Sequence, residues 1–179
     1  AKAVFRCAEA ALHRSMRRPD SGVTYYHNEM QSTARHRFEL ETELRRALEN
    51  HEIIAYFQPQ PCLKTGRLAG AEAVARWQRP HGAILPPSEF IPLSEEMGIS
   101  DVLFEAVLRR VCDSVRRWQS ASGWDIPVSV NLSAHQLRNH DLVGLIQTVL
   151  EKNKVDRRLI KLELPETALL EDRTIARPV

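Results

Sequence analysis

Short apolar runs and amphipathic helical patterns alternate through most of this sequence. The strand-like runs 69–77, 128–133 and 159–164 are separated by stretches in which apolar residues recur every three or four positions. A further apolar run, 53–58, precedes them and is expected to stop at Pro59, since proline cannot continue a central ladder. In the clearest helical pattern, Asp101 is the expected cap and Gly123 the expected end. Apolar strands joined by helices are typical of a largely parallel sheet with helices packed on its outside.

The number of strands limits how far this sheet can close. A (β/α)8 barrel needs eight strands, whereas the pattern predicts four before Val179. The predicted fold class is therefore α/β, an incomplete (β/α)8 TIM-type barrel. A mostly polar helical pattern at 31–50 predicts an N-terminal helical connector. We expect a boundary near residue 32 that divides the chain into 1–31 and 32–179.

Composition and cysteine usage narrow the class of protein. With 43% hydrophobic and 27% charged residues the chain has the composition of a globular protein, and its net charge of +2 is too small to indicate a nucleic-acid polymer as the main partner. Three widely spaced cysteines without a Cys-x-x-Cys pair indicate a reducing, cytoplasmic compartment. No apolar run approaches the roughly 20 residues of a membrane span. The start, which has neither Met nor a signal peptide, is expected for a mid-protein boundary.

Three of the strand-like runs each carry an oxygen-bearing side chain among apolar neighbours: Glu72, Asn131 and Glu163. A buried carboxylate or amide is costly unless it is paired, hydrogen-bonded or bound to a metal. Because the three residues fall on successive strands, one shared site explains all of them. Carboxylate and amide oxygens are the hard ligands that Mg²⁺, Mn²⁺ and Ca²⁺ prefer.

A positively charged residue, Arg76, lies on the same strand face as Glu72. Side chains alternate along a strand, so Glu72, Val74 and Arg76 point to one side. At ~3.3 Å per residue, Glu72 and Arg76 stand roughly 13 Å apart, too far for direct neutralisation. Each therefore needs its own partner, which predicts a metal ion and a phosphate side by side.

At these residues the chain resembles the EAL family of cyclic di-GMP phosphodiesterases. The matching motifs occur in order within residues 52–172, and they are Tyr56-Phe57-Gln58-Pro59, Thr65-Gly66, Gly70 to Trp77, Pro87 to Glu95, Val130-Asn131-Leu132-Ser133, and Glu163 to Thr167. The resemblance implies a (β/α)8 barrel that hydrolyses cyclic di-GMP to linear pGpG with Mg²⁺ or Mn²⁺. By position, it implies that Glu72, Asn131 and Glu163 are metal ligands and that Gln58 and Arg76 contact the substrate.

The chain departs from the family pattern in three ways. Val74 stands where the family's naming motif has leucine, and Pro165 stands where a threonine follows the glutamate. The third departure concerns the family's later paired-aspartate motif, lysine and further glutamate, which are not found within these 179 residues. The resemblance therefore implies that no catalytic set is complete in this chain, and we expect it to be inactive on its own.

The first residues carry a second resemblance. Through Ala8 to Arg14 and Val23 to Tyr26, residues 1–31 resemble the final helix and strand of a GGDEF diguanylate cyclase domain. The signature loop of such domains is missing here. We therefore expect a remnant of that domain without cyclase activity.

Simpler roles for these residues stay open. Glu72 and Glu163 could be structural carboxylates paired with Arg or Lys, Asn131 could bond only backbone, and Gln58 could be a strand-end amide. Glu166 could replace Glu163 as the ligand. For the whole chain, the alternatives are a non-catalytic cyclic di-GMP receptor or a protein-interaction module. A homodimer or another partner would then cover the open strand edges of the incomplete barrel.

Overall fold

A computed structural model describes residues 28–137 and 141–165, together with five helical residues nearer the start of the chain: Val4, Phe5, Ala8, Leu12 and Ser15. The chain divides into two compact units, 1–45 and 46–179, and the sheet lies in the second. Helix α1 runs through residue 32, and the predicted boundary there stays a prediction. The strand predicted at 23–26 lies outside the described residues.

Strands and helices follow one another in the predicted order. They are α1 (Asn28–Glu49), β1 (Ile53–Pro61), β2 (Leu68–Gln78), β3 (Ile84–Leu85), α2 (Pro87–Glu96), α3 (Ser100–Ser122), β4 (Val128–Asn131), α4 (Ala134–Leu137), α5 (Leu142–Asn153), a 3-10 turn (Arg157–Leu159) and β5 (Ile160–Glu163). The sheet order is β1-β2-β4-β5, and β3 also pairs with β2. Strand β1 is antiparallel to β2, whereas β2, β4 and β5 are parallel. The predicted α/β class, with parallel strands and helices, is confirmed.

The core lies between the sheet and helices α2 and α3. Trp77 of β2, 1% exposed, meets Phe90 of α2 edge-to-face, with ring centroids 6.2 Å apart. Phe57 of β1 meets Trp118 of α3 in the same way at 4.7 Å. Phe57 and Trp77 point toward the helices. Because side chains alternate along a strand, Gln58, Glu72 and Arg76 point to the opposite face, which these helices do not cover.

Strand β1 is longer than predicted. The prediction that it stops at Pro59 is wrong, because the strand continues to Pro61. Pro59 lies opposite Ala71, whose N–H bonds the Pro127 carbonyl on the other side of β2. This is a pair without mutual hydrogen bonds, so the missing proline N–H costs no bond to β2. In the described part of the chain β1 pairs only with β2, and proline is tolerated on such an edge strand.

Helix α3 ends where the sequence predicted but begins at a different residue. The prediction that Asp101 caps it is wrong, since the helix starts at Ser100 and Ile99 is the N-cap residue. Asp101 lies instead in the first turn, where a negative charge favours the helix dipole. The end at Gly123 is as predicted. Gly123 has φ 66, and its N–H bonds the Gln119 carbonyl.

We expect Gly123→Ala to lower the free energy of unfolding by about 1 kcal/mol, because a side chain at this left-handed φ is strained. Nothing lies within 4 Å of the position where a Cβ would be added, so the loss reports backbone strain without a clash. Urea unfolding measures it. Gly123→Asn is the control, because asparagine tolerates this conformation, and it should lose clearly less. Equal stability of Gly123→Ala and wild type would contradict the prediction.

Among the described residues, none of the helices combines the length and the hydrophobicity that crossing a membrane requires.

Candidate functional site

The three predicted oxygen ligands lie on one face at neighbouring positions of three adjacent strands. Glu72 lies within β2, Asn131 ends β4 and Glu163 ends β5. Asn131 donates a hydrogen bond from Nδ2 to Glu72 Oε1 at 2.7 Å. Asn131 and Glu163 are direct register partners on parallel strands, and their side chains therefore leave the sheet on the same side. The structure thus brings the three residues together on one face of the sheet.

The backbone beyond Asn131 keeps strands β4 and β5 in register at this edge. Leu132 donates from its N–H to the Glu163 carbonyl at 2.8 Å, one step past the last strand residue. This bond continues the parallel ladder where both candidate ligands emerge.

The three side chains are less buried than the apolar surroundings in the sequence suggested. Glu72 and Glu163 are half-buried, and Asn131 is exposed. The expectation of fully buried polar groups is wrong for this chain, because the helices cover only the opposite face of the sheet. Solvent or a ligand can therefore reach this face.

The two predicted substrate contacts flank Glu72. Gln58 is exposed and lies directly across from Glu72 on β1. Arg76 is half-buried four residues further along β2 and donates from Nη1 to the Ala75 carbonyl at 2.9 Å. Its guanidinium carbon also lies 5.6 Å from the centroid of the Tyr56 ring, at cation–π distance. Backbone and ring thus hold the cation on the open face.

The donor set is compatible with a hard divalent cation. Within residues 28–137 and 141–165, no group of three or more His, Cys, Asp and Glu side chains is arranged to hold a metal. The candidate set has two carboxylates and one amide instead. The amide nitrogen of Asn131 points toward Glu72. Rotation of this amide by 180° would place its oxygen there, and the oxygen is the atom that binds a metal. With that change the residues fit, and their metal-binding role stays a prediction.

A cavity of about 380 Å³ lies beside Asn131 and Glu163, between the sheet and helices α2 and α3. Among its polar lining residues is Gln136, which was not among the residues predicted for the site. Gln136 is 5% exposed, accepts a hydrogen bond from the Ser133 N–H and donates one to the Ser100 carbonyl. The spacing Ser133-x-x-Gln136 is that of a capping box, a signal that could have revealed it.

The alternative ligand Glu166 lies outside the described residues.

Oxygen donors and an arginine lie on one face of parallel strands that are joined by helices, and in (β/α)8-barrel enzymes the site lies at the carboxyl end of such strands. The family model described as "EAL domain" matches residues 41–178, and the chain belongs to this family.

Relatives of known sequence and structure support this assignment. The chain is 33% identical over 172 residues to an uncharacterized signaling protein of Caulobacter vibrioides, covering 96% of this chain and 21% of that protein. It is 28% identical over 165 residues to MucR of Pseudomonas aeruginosa, a bifunctional diguanylate cyclase/cyclic di-GMP phosphodiesterase, covering 92% of this chain and 24% of MucR.

The fold is also similar to that of the PaMucR phosphodiesterase solved in complex with c-di-GMP. The TM-score is 0.70 at 30% identity, with 76% of this chain and 55% of that chain covered. The chain therefore spans about a fifth to a quarter of the length of the curated relatives and about half of the solved one.

Proposed function

We propose that this chain is part of an EAL domain that binds cyclic di-GMP and, as a complete barrel, hydrolyses it to linear pGpG. The observation that carries the proposal is the contact of Asn131 with Glu72, with Glu163 next to Asn131 in register and Arg76 on the same face. The family membership and the complex of PaMucR with c-di-GMP support the choice of ligand.

Each predicted site residue has a role in this proposal. Glu72, Asn131 and Glu163 would hold Mg²⁺ or Mn²⁺. When bound, such an ion polarises a phosphoryl oxygen and lowers the pKa of a bound water. Arg76 binds phosphate, for which the planar guanidinium is suited, and the Tyr56 ring and the Ala75 carbonyl orient it. Gln58 hydrogen-bonds the nucleotide beside Glu72.

We expect a polypeptide of these 179 residues to show no Mg²⁺-dependent hydrolysis of cyclic di-GMP. The reason is that the later aspartate pair, lysine and glutamate that the family resemblance implies for catalysis are not in this sequence. Chromatographic detection of pGpG after overnight incubation checks it, with an intact EAL phosphodiesterase in the same buffer as the positive control. Formation of pGpG above the level without protein would contradict this expectation.

The second candidate function is a cyclic di-GMP receptor without catalysis, which the exposure of Gln58 and the position of Arg76 on the open face favour. Calorimetry with the chain, cyclic di-GMP and Ca²⁺ tests binding apart from hydrolysis, with Arg76→Met as the variant that removes the phosphate contact. Absence of binding up to millimolar nucleotide would rule out the receptor.

A protein-interaction role is the remaining proposal. In the described part of the chain β1 and β5 are the outer strands of the sheet, and each has an edge without a neighbouring strand. A second copy or another protein could pair there. Light scattering over a concentration series tests self-association, and a strictly monomeric mass would exclude the homodimer.

We also propose a reducing, cytoplasmic location. Cys62 is half-buried and Cys112 is buried, and both are free thiols. Burial, followed by the Asp113 charge, raises the pKa of Cys112 to about 11, so this thiol stays protonated within the core. Its surroundings are those of a structural cysteine in a reduced protein.

A further inference from the structure

We propose that Gln136 is a positioning residue for Asn131, which it orients through the backbone that follows β4. The inference rests on the proposed function, because it assigns Gln136 a part in divalent-cation binding. The side-chain amide of Gln136 bonds the backbone of Ser133 and of Ser100, and its effect on Asn131 passes through Ser133.

Gln136 connects two elements that are far apart in sequence. Its Oε1 accepts the Ser133 N–H at 2.8 Å, and its Nε2 donates to the Ser100 carbonyl, 36 residues away, at 3.1 Å. Ser100 is the first residue of α3, a 23-residue helix packed on the sheet. The amide of Gln136 therefore attaches the short segment after β4 to a rigid helix.

This attachment fixes the direction in which Asn131 leaves the sheet. The N–H of Leu132 is held by the Glu163 carbonyl, and the next N–H, of Ser133, is held by Gln136. Two successive peptide groups beyond Asn131 thus have fixed partners, one on β5 and one on α4. Loss of the second partner frees the peptide plane that follows Leu132, and the backbone of Asn131 can then turn relative to Glu72.

The Ser133 N–H is bonded by Gln136 and by neither of the two serine hydroxyls beside it. Ser100 Oγ and Ser133 Oγ are buried beside the same cavity and have no hydrogen-bond partner among the described residues. Removing the Gln136 amide would also leave the half-buried Ser133 N–H without its partner, a cost that the segment can relieve by rearranging. The rearrangement, more than the lost bond, would displace Asn131.

Gln136→Leu in the full 179-residue chain tests the inference. We expect Mn²⁺ affinity to fall about tenfold, in the range seen when partners behind a metal ligand are removed. The Ser133 amide should also lose its protection against hydrogen exchange. Line broadening of Asn131, Glu72 and Glu163 signals in NMR spectra during a Mn²⁺ titration measures the affinity at these residues. Gln136→Glu keeps an acceptor for the Ser133 N–H and should show an intermediate affinity.

Ser94→Ala is the matched control. Ser94 is fully buried and lines the same cavity, but its hydroxyl bonds the Ile91 carbonyl within α2. The Ser94→Ala variant should be less stable than the wild type and have the same Mn²⁺ affinity. This result would separate the positioning role of Gln136 from a general loss of packing.

The outcomes separate the two proposals. A wild-type chain whose site residues do not respond to Mn²⁺ overturns the proposed function. A wild-type chain that responds, together with a Gln136→Leu chain of equal affinity, overturns the positioning role alone. If Gln136→Leu does not fold, Gln136→Glu carries the comparison, and an affinity equal to wild type then overturns the role.

Discussion

Glu72→Gln should weaken divalent-cation binding by about 100-fold or more, because the charge of the ligands largely sets the affinity of such sites. The substitution preserves the shape of the side chain. A glutamine carbonyl can still accept the Asn131 Nδ2 bond, which is 2.7 Å long in the wild type. The change therefore removes one negative charge and leaves the arrangement of β2 and β4 intact.

Titration of free Mn²⁺ by electron paramagnetic resonance measures this loss, and thermal unfolding confirms that the variant is folded. Glu151→Gln is the control, since this exposed residue of α5 loses the same charge and has no place in the site. If both variants lose affinity equally, the cation is attracted by overall charge, and Glu72 is not a ligand.

Trp77→Ala is expected to lower the free energy of unfolding by about 3–5 kcal/mol, the range for deleting a buried aromatic ring. Trp77 is 1% exposed and packs edge-to-face on Phe90. Its indole Nε1 also donates to Glu52 Oε2 at 3.2 Å, which ties β2 to the residue before β1. The ring thus joins the sheet, α2 and the start of β1.

Urea unfolding of the variant checks this prediction against two controls. Trp77→Phe keeps an aromatic ring and loses the bond to Glu52, so it should lose clearly less than Trp77→Ala. Leu63→Ala removes a side chain that is 99% exposed and should leave stability unchanged. A loss below about 1 kcal/mol for Trp77→Ala would show that the interface between the sheet and α2 relaxes to fill the space.

Local patterns predicted the elements well where periodicity and chain-breaking residues agree. Helix α3 follows its apolar spacing and ends at Gly123 as expected. The prediction failed at Pro59. A proline interrupts a strand only where its backbone nitrogen faces a neighbouring strand that needs a hydrogen-bond donor, and this depends on how the strands pair. It also failed at Asp101. A carboxylate is favourable both at the N-cap and in the first turn of a helix, and Asp101 lies in the first turn.

The candidate site was predictable in its residue types and only partly in its geometry. The alternation of side chains places Glu72 and Arg76 on one face, and the structure agrees. The contact of Arg76 with Tyr56 was not predicted, since it crosses from β2 to β1 and depends on their register. Gln136 was missed although a capping-box spacing was present, because its second bond reaches Ser100 on another helix.

From the order of its residues, then, this chain could be assigned its alternation of strands and helices and its set of oxygen donors. Both are local properties, which depend on a residue and its near neighbours. The pairing of Asn131 with Glu72, the open face on which they lie and the attachment of Gln136 to α3 arise from contacts across 59 and 36 residues of chain. Such contacts depend on strand register and helix packing, in which all elements of the sheet take part together.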